Sequence, residues 1–328
     1  MDIIRLDTSD RALVEEHYAA LNQIHLDQTP DLPGRCREQW VDAIDHPWPG
    51  EATEIWTAVE GGRIVGGIVL DMSTRDNLTL MGLELWVSKE HRRRGVGRAL
   101  HARAVERARA NGRTTVVGGC RGEGPGHAFA EAMGATWAMN EVRRRWEAGT
   151  VPDADLDALL AEAWTHAEGY EVVTWRDGVP DALVNDAAYL EGRMLIDIPM
   201  GDIPVEKEEV DVDLIRAKDA ALLVRKRRRF NAGALHQGRL VAYTTIAFDH
   251  GIGWHGWQWM TIAHPEHRGH RLGTIVKLVN LAFVRAEVPE LRALDTWNSE
   301  ENRHMIAINE AVGFRAREAT ADYKLELA

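Results

Sequence analysis

Cysteine is scarce in this sequence, and long apolar runs are absent. The 328 residues include only two cysteines, Cys36 and Cys120, which excludes a framework of disulfide bonds and fits a reducing compartment. No apolar run approaches the roughly 20 residues that a membrane-spanning helix requires. The first residues also lack the basic and apolar regions of a secretory signal peptide. We therefore expect a cytoplasmic protein without a membrane partner.

Basic residues are also fewer than acidic residues. Lysine and arginine together number 39 and aspartate and glutamate 51, which gives a formal net charge of -12 at pH 7. This balance argues against nucleic acid as a partner and mildly favours cationic small molecules. One basic run, RKRRRF at 225–230, stands out. In an acidic protein we interpret it as a solvated face, or as a contact for a phosphate or a carboxylate.

One sequence motif, called the phrase below, occurs twice. EHRRRGVGRAL fills residues 90–100, and EHRGHRLGTIV fills residues 266–276. A strand that ends in a glycine-bearing turn and opens a helix points several backbone N–H groups at one spot, which suits a phosphate. Nearby arginines add charge-assisted hydrogen bonds. One copy alone is as readily a solvated helix start, but two copies in matching contexts indicate a shared ligand.

The order of predicted elements around the phrase is the same in both halves. Each half reads as a hairpin, a strand, the phrase, a helix, a strand, a short helix and a last strand. The hairpins turn at Gly61-Gly62 and at Gln237-Gly238. At roughly 150 residues per domain, the length also suggests two domains. We therefore expect domains at 1–150 and 170–328, joined by a connecting helix within 151–169.

The spacing within the phrase is specific. The first copy contains Arg92-x-x-Gly95-x-Gly97, and the second has the same spacing with Arg271 at the middle position. This is neither the Walker loop nor the dinucleotide fingerprint. Both halves resemble the GNAT superfamily of acyl-CoA-dependent N-acyltransferases. In that family the signature Arg/Gln-x-x-Gly-x-Gly/Ala follows the fourth strand and clasps the pyrophosphate of coenzyme A. The first half matches the signature fully.

A later motif of the family is also present. An Asn after the fifth strand, followed by a helix that ends in Gly-Phe, matches TWNSEENRHMIAINEAVGF, which contains Asn298 and Asn302. The first half has a degenerate version, in which Gly119 takes the place of Asn298 and Glu123 offers the nearby polar group. The resemblance implies an α+β fold class with two tandem GNAT folds, each a mixed, mostly antiparallel, splayed sheet flanked by helices. The tandem arrangement is similar to that of actinobacterial small-molecule acetyltransferases of the mycothiol synthase type.

The resemblance implies acetyl-CoA, or another acyl-CoA, as the cofactor and a small-molecule amine as the partner. The amine attacks the thioester directly, and a backbone N–H at a bulge of the fourth strand stabilises the oxyanion. That N–H is expected near Trp86-Val87 and near Ile262-Ala263. The residues implied for cofactor binding are Trp86, Val87, Arg92, Arg93, Arg94, Gly95, Val96, Gly97 and Arg98 in the first half, and Ile262, Ala263, Arg268, Gly269, His270, Arg271, Leu272, Gly273, Thr274, Asn298 and Asn302 in the second.

The usual acid–base pair of the family is missing. Met81 and Trp257 stand where many members carry a Glu or a His on the fourth strand. Ala130 and Asn309 stand where many carry a Tyr before the Gly-Phe pair. Other residues must therefore supply the base that accepts a proton from the ammonium and the acid that protonates the thiolate.

Three residues are candidates for that chemistry. Glu84 lies on the fourth strand of the first half, and His255 and Tyr323 lie in the second half. Each has a structural alternative: Glu84 could pair with an arginine, and the other two could be surface or core residues. Trp257 and Trp259 are candidates for an aromatic acceptor pocket, or simply for the core. The two asparagines and these aromatic residues favour the second half for acyl transfer.

Two other interpretations of the sequence are a non-catalytic role in binding acyl-CoA and a metal site. One or both halves could hold acyl-CoA without turnover, as a regulator or scaffold, and the missing acid–base pair favours this. His264, His267 and His270 have a spacing seen in metal sites, but the basic residues among them disfavour a cation, so we expect no metal. Monomer and homodimer remain open.

Overall fold

The structure is a computed structural model, and it describes residues 1–122 and 124–327. The strands are β1 (Asp2–Arg5), β2 (Glu51–Glu60), β3 (Arg63–Ser73), β4 (Leu80–Val87), β5 (Thr115–Arg121), β6 (Thr136–Glu147), β7 (Tyr170–Arg176), β8 (Arg228–His236), β9 (Arg239–Phe248), β10 (His255–Ala263), β11 (Ala293–Ser299) and β12 (Arg315–Glu326). The helices are α1 (Arg11–Gln28), α2 (Arg37–Asp45), α3 (Val96–Ala110), α4 (Gly126–Ala132), α5 (Asp153–Trp164), α6 (Val184–Glu191), α7 (Met194–Asp197), α8 (Val212–Val224), α9 (Leu272–Glu287) and α10 (Arg303–Val312).

The chain divides into two compact units. The first unit comprises Met1–Asn140, Met200–Glu206 and the end of the chain from Ala319. The second comprises Glu141–Pro199 and Lys207–Glu318. These units differ from the expected domains at 1–150 and 170–328 because each unit takes its last strand from the other part of the sequence.

Strand pairing is the physical reason for this division. In the first unit, residues 320–326 of β12 pair antiparallel with β5, from Thr320 opposite Arg121 to Glu326 opposite Thr115. In the second unit, residues 141–147 of β6 pair antiparallel with β11. We propose that the chain is still a tandem repeat by sequence, in which the two last strands have been exchanged.

The sheet of the first unit is mixed and mostly antiparallel, as the resemblance implied. Its strands lie in the order β1-β2-β3-β4-β5-β12, and only β4 and β5 are parallel neighbours. The parallel pairing covers Leu80–Gly82 of β4 and stops there, although β4 continues to Val87. The two strands therefore splay apart and leave a cleft. The hairpin between β2 and β3 turns at Gly61 and Gly62, whose φ angles of 58° and 77° suit glycine.

One helix seals one face of this sheet. On α3, Val96, Leu100, Ala104 and Ala108 recur at helical spacing and are all buried. They pack with apolar residues of β3 and β4 in a single core cluster. Helices α1 and α2 cover the opposite face, where Trp86 of β4 is buried.

The sheet of the second unit repeats this plan. Its strands lie in the order β6-β11-β10-β9-β8-β7, with β10 and β11 as the parallel pair. The parallel pairing covers His255–Trp257 of β10, and the strands splay beyond it. The predicted connecting helix is α5, which packs into the core of this unit through Leu156 rather than spanning free solvent. Within residues 1–122 and 124–327, no helix has the length and apolar character to cross a membrane.

A histidine lies in the core of the first unit. His17 on α1 is 0% exposed, and its Nδ1 lies 3.2 Å from the Thr57 hydroxyl. The ring stacks on Trp40 at 5.5 Å and meets Trp86 edge-on at 5.4 Å. Burial, and then the charge of Arg35, lower the pKa of His17 from 6.5 to about 4. The folded first unit therefore holds this imidazole neutral.

Acid should destabilise the protein through this histidine. Its folded-state pKa lies below the unfolded value, so only the unfolded chain gains the proton between about pH 6.5 and 4. The free energy of unfolding should fall by about 3 kcal/mol as the pH drops through that window. Above about pH 6.5 the contribution of the neutral histidine to stability should be complete. Urea unfolding of the wild type and of His17→Gln at several pH values checks this, because the variant should lose that share of the pH dependence. Parallel pH profiles for the two proteins would contradict it.

The exchanged strand makes a second prediction. A fragment of residues 1–150 lacks β12, so the edge of β5 is exposed and the fragment should aggregate or unfold non-cooperatively. Adding a synthetic peptide of residues 319–327 should restore a soluble, cooperatively unfolding species, measured by circular dichroism and size-exclusion chromatography. A scrambled peptide is the control. A fragment that folds as a monomer without peptide would show that β12 is dispensable.

Candidate functional site

The first copy of the repeated phrase forms an open helix start. Gly95 is the residue before α3 and has a left-handed conformation, with φ of 87°, and no side chain caps the helix. Among the described residues other than its two chain neighbours, no atom lies within 4 Å of the place where a β-carbon on Gly95 would stand. The first N–H groups of α3 are therefore unobstructed, which is the geometry of an anion site.

The arginines of this first loop carry free charge. Arg92 donates from Nε to the carbonyl of Val87 at 3.1 Å, which anchors the loop to the end of β4. The side chains of Arg93, Arg94 and Arg98 are exposed and form no hydrogen bond or ion pair with the described residues. Guanidinium groups beside a helix N-terminus are suited to grip a diphosphate.

The second copy has the same backbone shape and a different charge environment. Arg271 takes the left-handed position before α9, with φ of 56°. Arg268 lies 2.8 Å from Asp197, and Arg271 lies 3.5 Å from Glu162. His270 is bonded through Nδ1 to the carbonyl of His166 at 3.0 Å. The chain's own carboxylates therefore neutralise the arginines of the second loop.

Glycines keep the cleft of the first unit free of side chains. Beyond the parallel pairing, β4 faces Gly118 and Gly119 of β5. A β-carbon on Gly118 would lie 2.8 Å from the carbonyl oxygen of Leu83 on β4. A larger residue at 118 would therefore collide with the strand across the cleft.

Glu84 lies on β4, on the face that α1 and α2 cover. Its carboxylate is 2.9 Å from the guanidinium of Arg35, and the side chain is 48% exposed. Glu84 therefore does pair with an arginine, which was the structural alternative to a catalytic role. The group stays accessible from solvent beside the cleft.

Tyr323 lies in the first unit and not in the second half, where the sequence placed it. It sits on β12 opposite Gly118 of β5. Its hydroxyl is 3.3 Å from Nδ1 of His127 on α4, and the two rings meet at 5.8 Å. Burial, and then the charges of Glu131 and Cys120, raise the pKa of Tyr323. The phenol therefore lies next to α4, the helix on which Ala130 replaces the tyrosine of many family members.

His255 belongs to a buried ionic network of the second unit. It is 1% exposed, and its Nε2 lies 2.7 Å from the carboxylate of Asp295. The same carboxylate binds Arg143 at 2.9 Å and Arg145 at 2.7 Å. Burial acts to raise the pKa of Asp295, but hydrogen bonds from His255 and Arg145 together with the arginine charges lower it overall. His255 also lies where β10 and β11 are still paired, outside the splayed part.

The bulge expected at the end of the fourth strand lies elsewhere. In the second unit the register of β10 against β9 shifts between Gln258 and Thr261, whereas Ile262 and Ala263 pair regularly. Next to this register shift, the side-chain amide of Gln258 donates to the carbonyl of Thr245 at 3.0 Å. In the first unit, Trp86 and Val87 pair regularly with β3.

The two asparagines of the later motif serve local structure. Asn298 accepts a hydrogen bond from the side-chain amide of Asn309 at 2.7 Å. Asn302 caps α10 by accepting from the N–H of Met305 at 3.1 Å. Both side-chain oxygens are thus engaged within the second unit. Glu123 of the first half lies outside the described residues.

The tryptophans proposed for an acceptor pocket are also engaged. Trp257 donates from its indole N–H to Asp249 at 3.3 Å and packs edge-on against His255 at 5.0 Å. The guanidinium of Arg227 lies 4.9 Å from the centre of the Trp259 ring. Both tryptophan side chains therefore already have polar or aromatic partners within the second unit.

The remaining basic and histidine-rich segments have structural partners. Arg229, from the basic run, lies 2.6 Å from Asp219. The rings of His264 and His267 are 5.5 Å apart, and His267 is hydrogen-bonded to the Tyr170 hydroxyl at 2.8 Å. Over the part of the chain that the structure describes, no group of three or more His, Cys, Asp or Glu side chains is arranged to hold a metal ion.

Comparison with known proteins identifies the architecture. Residues 18–134 match the family model described as "Acetyltransferase (GNAT) family". No curated protein matches the sequence. A tandem GNAT protein from the clavulanic acid biosynthesis pathway, solved without AcCoA, is 28% identical, with a TM-score of 0.80 over 99% of this chain and 98% of that chain.

Two more distant structures share the fold. A glucosamine N-acetyltransferase region of a fungal multi-domain GH3 beta-N-acetylglucosaminidase is 14% identical, with a TM-score of 0.71 over 99% of this chain and 38% of that chain. A GCN5-related N-acetyltransferase from Sphaerobacter thermophilus is 14% identical, with a TM-score of 0.63 over 99% of this chain and 95% of that chain. At this identity the likeness concerns the fold alone.

The buried network around Asp295 can be tested by stability. Asp295→Ala leaves two buried arginines without their shared carboxylate and should lower the free energy of unfolding by about 3–5 kcal/mol. Asp181→Ala is the matched control, because Asp181 pairs with Arg216 from a side chain that is 99% exposed. Chemical denaturation measures both. Equal stability of the two variants would mean that the network contributes nothing to the fold.

Proposed function

We propose that the chain is a tandem protein of the GNAT family of N-acetyltransferases, and that its first unit transfers an acetyl group from acetyl-CoA to a primary amine of a small molecule. The observation that carries this proposal is the contrast between the two loops. Around Gly95 the arginines are free to bind a pyrophosphate, whereas Arg268 and Arg271 are already paired with carboxylates.

The first loop fits acetyl-CoA. The pyrophosphate would be held by the N–H groups at the start of α3 and by the side chains of Arg93, Arg94 and Arg98. The thioester supplies an acyl carbon that a neutral amine can attack. The arm of the cofactor would lie between β4 and β5 beyond Gly82, where their parallel pairing ends.

The chain's own residues must move two protons. One leaves the ammonium of the acceptor before attack, and one reaches the sulfur when the carbon–sulfur bond breaks. Tyr323 is suited to protonate the leaving sulfur, because it lies beside α4 at the cleft. Its raised pKa keeps the phenol protonated at neutral pH.

The second unit supports a different role. Its loop arginines are neutralised, and His255 is buried against Asp295. We propose that the second unit does not turn over acetyl-CoA, which keeps the alternative of a non-catalytic GNAT fold for this half.

The two thiols support the proposed location in the cytoplasm. Both Cys36 and Cys120 are free, which supports a reducing compartment such as the cytoplasm. The net charge of -12 supports a small cationic acceptor over nucleic acid.

Binding of coenzyme A should depend on the first loop only. The double substitution Arg93→Glu with Arg94→Glu should weaken binding at least about 10-fold, since each charge-assisted hydrogen bond contributes roughly 1.5–3 kcal/mol. The matched control is Arg268→Glu with Arg271→Glu at the same kind of position in the second loop. Titration calorimetry with coenzyme A measures the affinity of both variants and so shows which loop binds the cofactor. Loss of binding in the control alone would move the site to the second unit.

Turnover should require an amine and Tyr323. The wild type is expected to release free thiol from acetyl-CoA in the presence of some members of a panel of small amines. Tyr323→Phe should lower kcat by about 100-fold or more, with unchanged affinity for coenzyme A. Binding of acetyl-CoA without amine-dependent thiol release for any amine would favour the non-catalytic alternative for the whole chain.

A further inference from the structure

The exchanged strand brings a second titratable group to the cleft of the first unit. Successive residues of a strand point to opposite faces of the sheet. Tyr323 therefore faces α4, and its neighbour Asp322 faces the other side. Asp322 is the direct partner of Gly119 on β5, and its Oδ1 lies 2.9 Å from the place where a β-carbon on Gly119 would stand.

The face that Asp322 shares is the polar side of the cleft. Arg121 follows Gly119 by two residues on β5 and so points the same way. Burial lowers the pKa of His25 on α1, the nearby charges of Arg35 and Arg121 lower it further, and Glu84 opposes them. These charged groups therefore gather on the same face as Asp322, where α1 and α2 cover the sheet.

Asp322 differs from the other carboxylate at this face. Glu84 is bound to Arg35 at 2.9 Å, so its negative charge is already matched. Across residues 1–122 and 124–327, the carboxylate of Asp322 has no hydrogen-bond donor and no ion pair. Burial raises the pKa of Asp322, which makes the ionised group a stronger base than an exposed aspartate.

We propose that Asp322 is the general base of acetyl transfer and the group that receives the ammonium of the acceptor. This inference rests on the proposed function of the first unit. A proton passes from the ammonium to the Asp322 carboxylate, and the freed lone pair of the nitrogen forms the bond to the acyl carbon. The carbon–sulfur bond breaks, the sulfur takes the proton of Tyr323, and the acylated nitrogen gives up its second proton to water, from which the phenolate regains a proton. The two protons thus move on opposite faces of one strand.

Gly119 has a specific part in this arrangement. Because it lacks a side chain, the space that a β-carbon would take, 2.9 Å from Oδ1 of Asp322, is left to the carboxylate, which would pair with a cationic nitrogen. The acceptor class is therefore an amine that is protonated in solution and enters from the side of α1 and α2. An alanine at 119 would displace the carboxylate and fill part of this space.

The test compares Asp322→Asn with Glu326→Gln. Glu326 lies on the same strand and face, but opposite Thr115, where β4 and β5 are paired and no cleft exists. With an amine that the wild type acetylates, Asp322→Asn should lower kcat/KM by about 100-fold or more. It should also remove the acid limb of the pH profile of kcat/KM and leave coenzyme A affinity unchanged. Glu326→Gln should match the wild type, and Asp322→Glu should regain part of the rate.

Two further outcomes separate the inference from the proposed function. A wild type that acetylates the amine, together with an Asp322→Asn variant of equal kcat/KM and pH profile, overturns the inference and leaves the function standing. A wild type without amine-dependent thiol release overturns both. If Asp322→Asn does not fold, Gly119→Ala serves instead, and it should raise KM for the amine without changing coenzyme A affinity. An unchanged KM in that variant would also overturn the inference.

Discussion

The backbone pairing of β12 with β5 is the interaction on which the first unit depends. Residues 320–326 supply hydrogen-bond partners to an edge strand that would otherwise present unpaired N–H and C=O groups. The same pairing places Tyr323 beside α4 and Asp322 on the opposite face. A single strand, distant in sequence from everything it touches, therefore contributes to stability and carries two groups of the proposed chemistry.

The two loops show that backbone shape and ligand choice are separate properties. Gly95 and Arg271 both take the left-handed position before a helix, so both loops present a helix N-terminus in the same way. Asp197 and Glu162 then neutralise the arginines of the second loop. A pyrophosphate there would have to displace two carboxylates or lie beside them. Both copies of the repeat thus keep the same loop fold, but only the first copy keeps arginines that are free of carboxylate partners.

Buried charge is used differently in the second unit. The carboxylate of Asp295 is shared by His255, Arg143 and Arg145, all nearly inaccessible to solvent. Such a network is costly to break because the buried arginine charges would lose the carboxylate that they share. It holds β6 against β11 and β10. In the first unit, by contrast, no residue that the structure describes forms a hydrogen bond or an ion pair with the carboxylate of Asp322, which suits a group that must exchange a proton.

Features encoded in short stretches of sequence could be predicted, and contacts between distant stretches could not. The hairpin turn at Gly61-Gly62 and the open loop at Gly95 follow from local conformational preference and the alternation of apolar residues, whereas the splayed sheet of each unit was implied by the resemblance to the GNAT superfamily. The unit that Tyr323 joins depends on which edge strand accepts β12, and no pattern within 315–327 specifies that edge. Likewise, His255 reads as a reactive residue until Asp295 is seen beside it, because an ion pair forms only when the folded chain brings its two partners together.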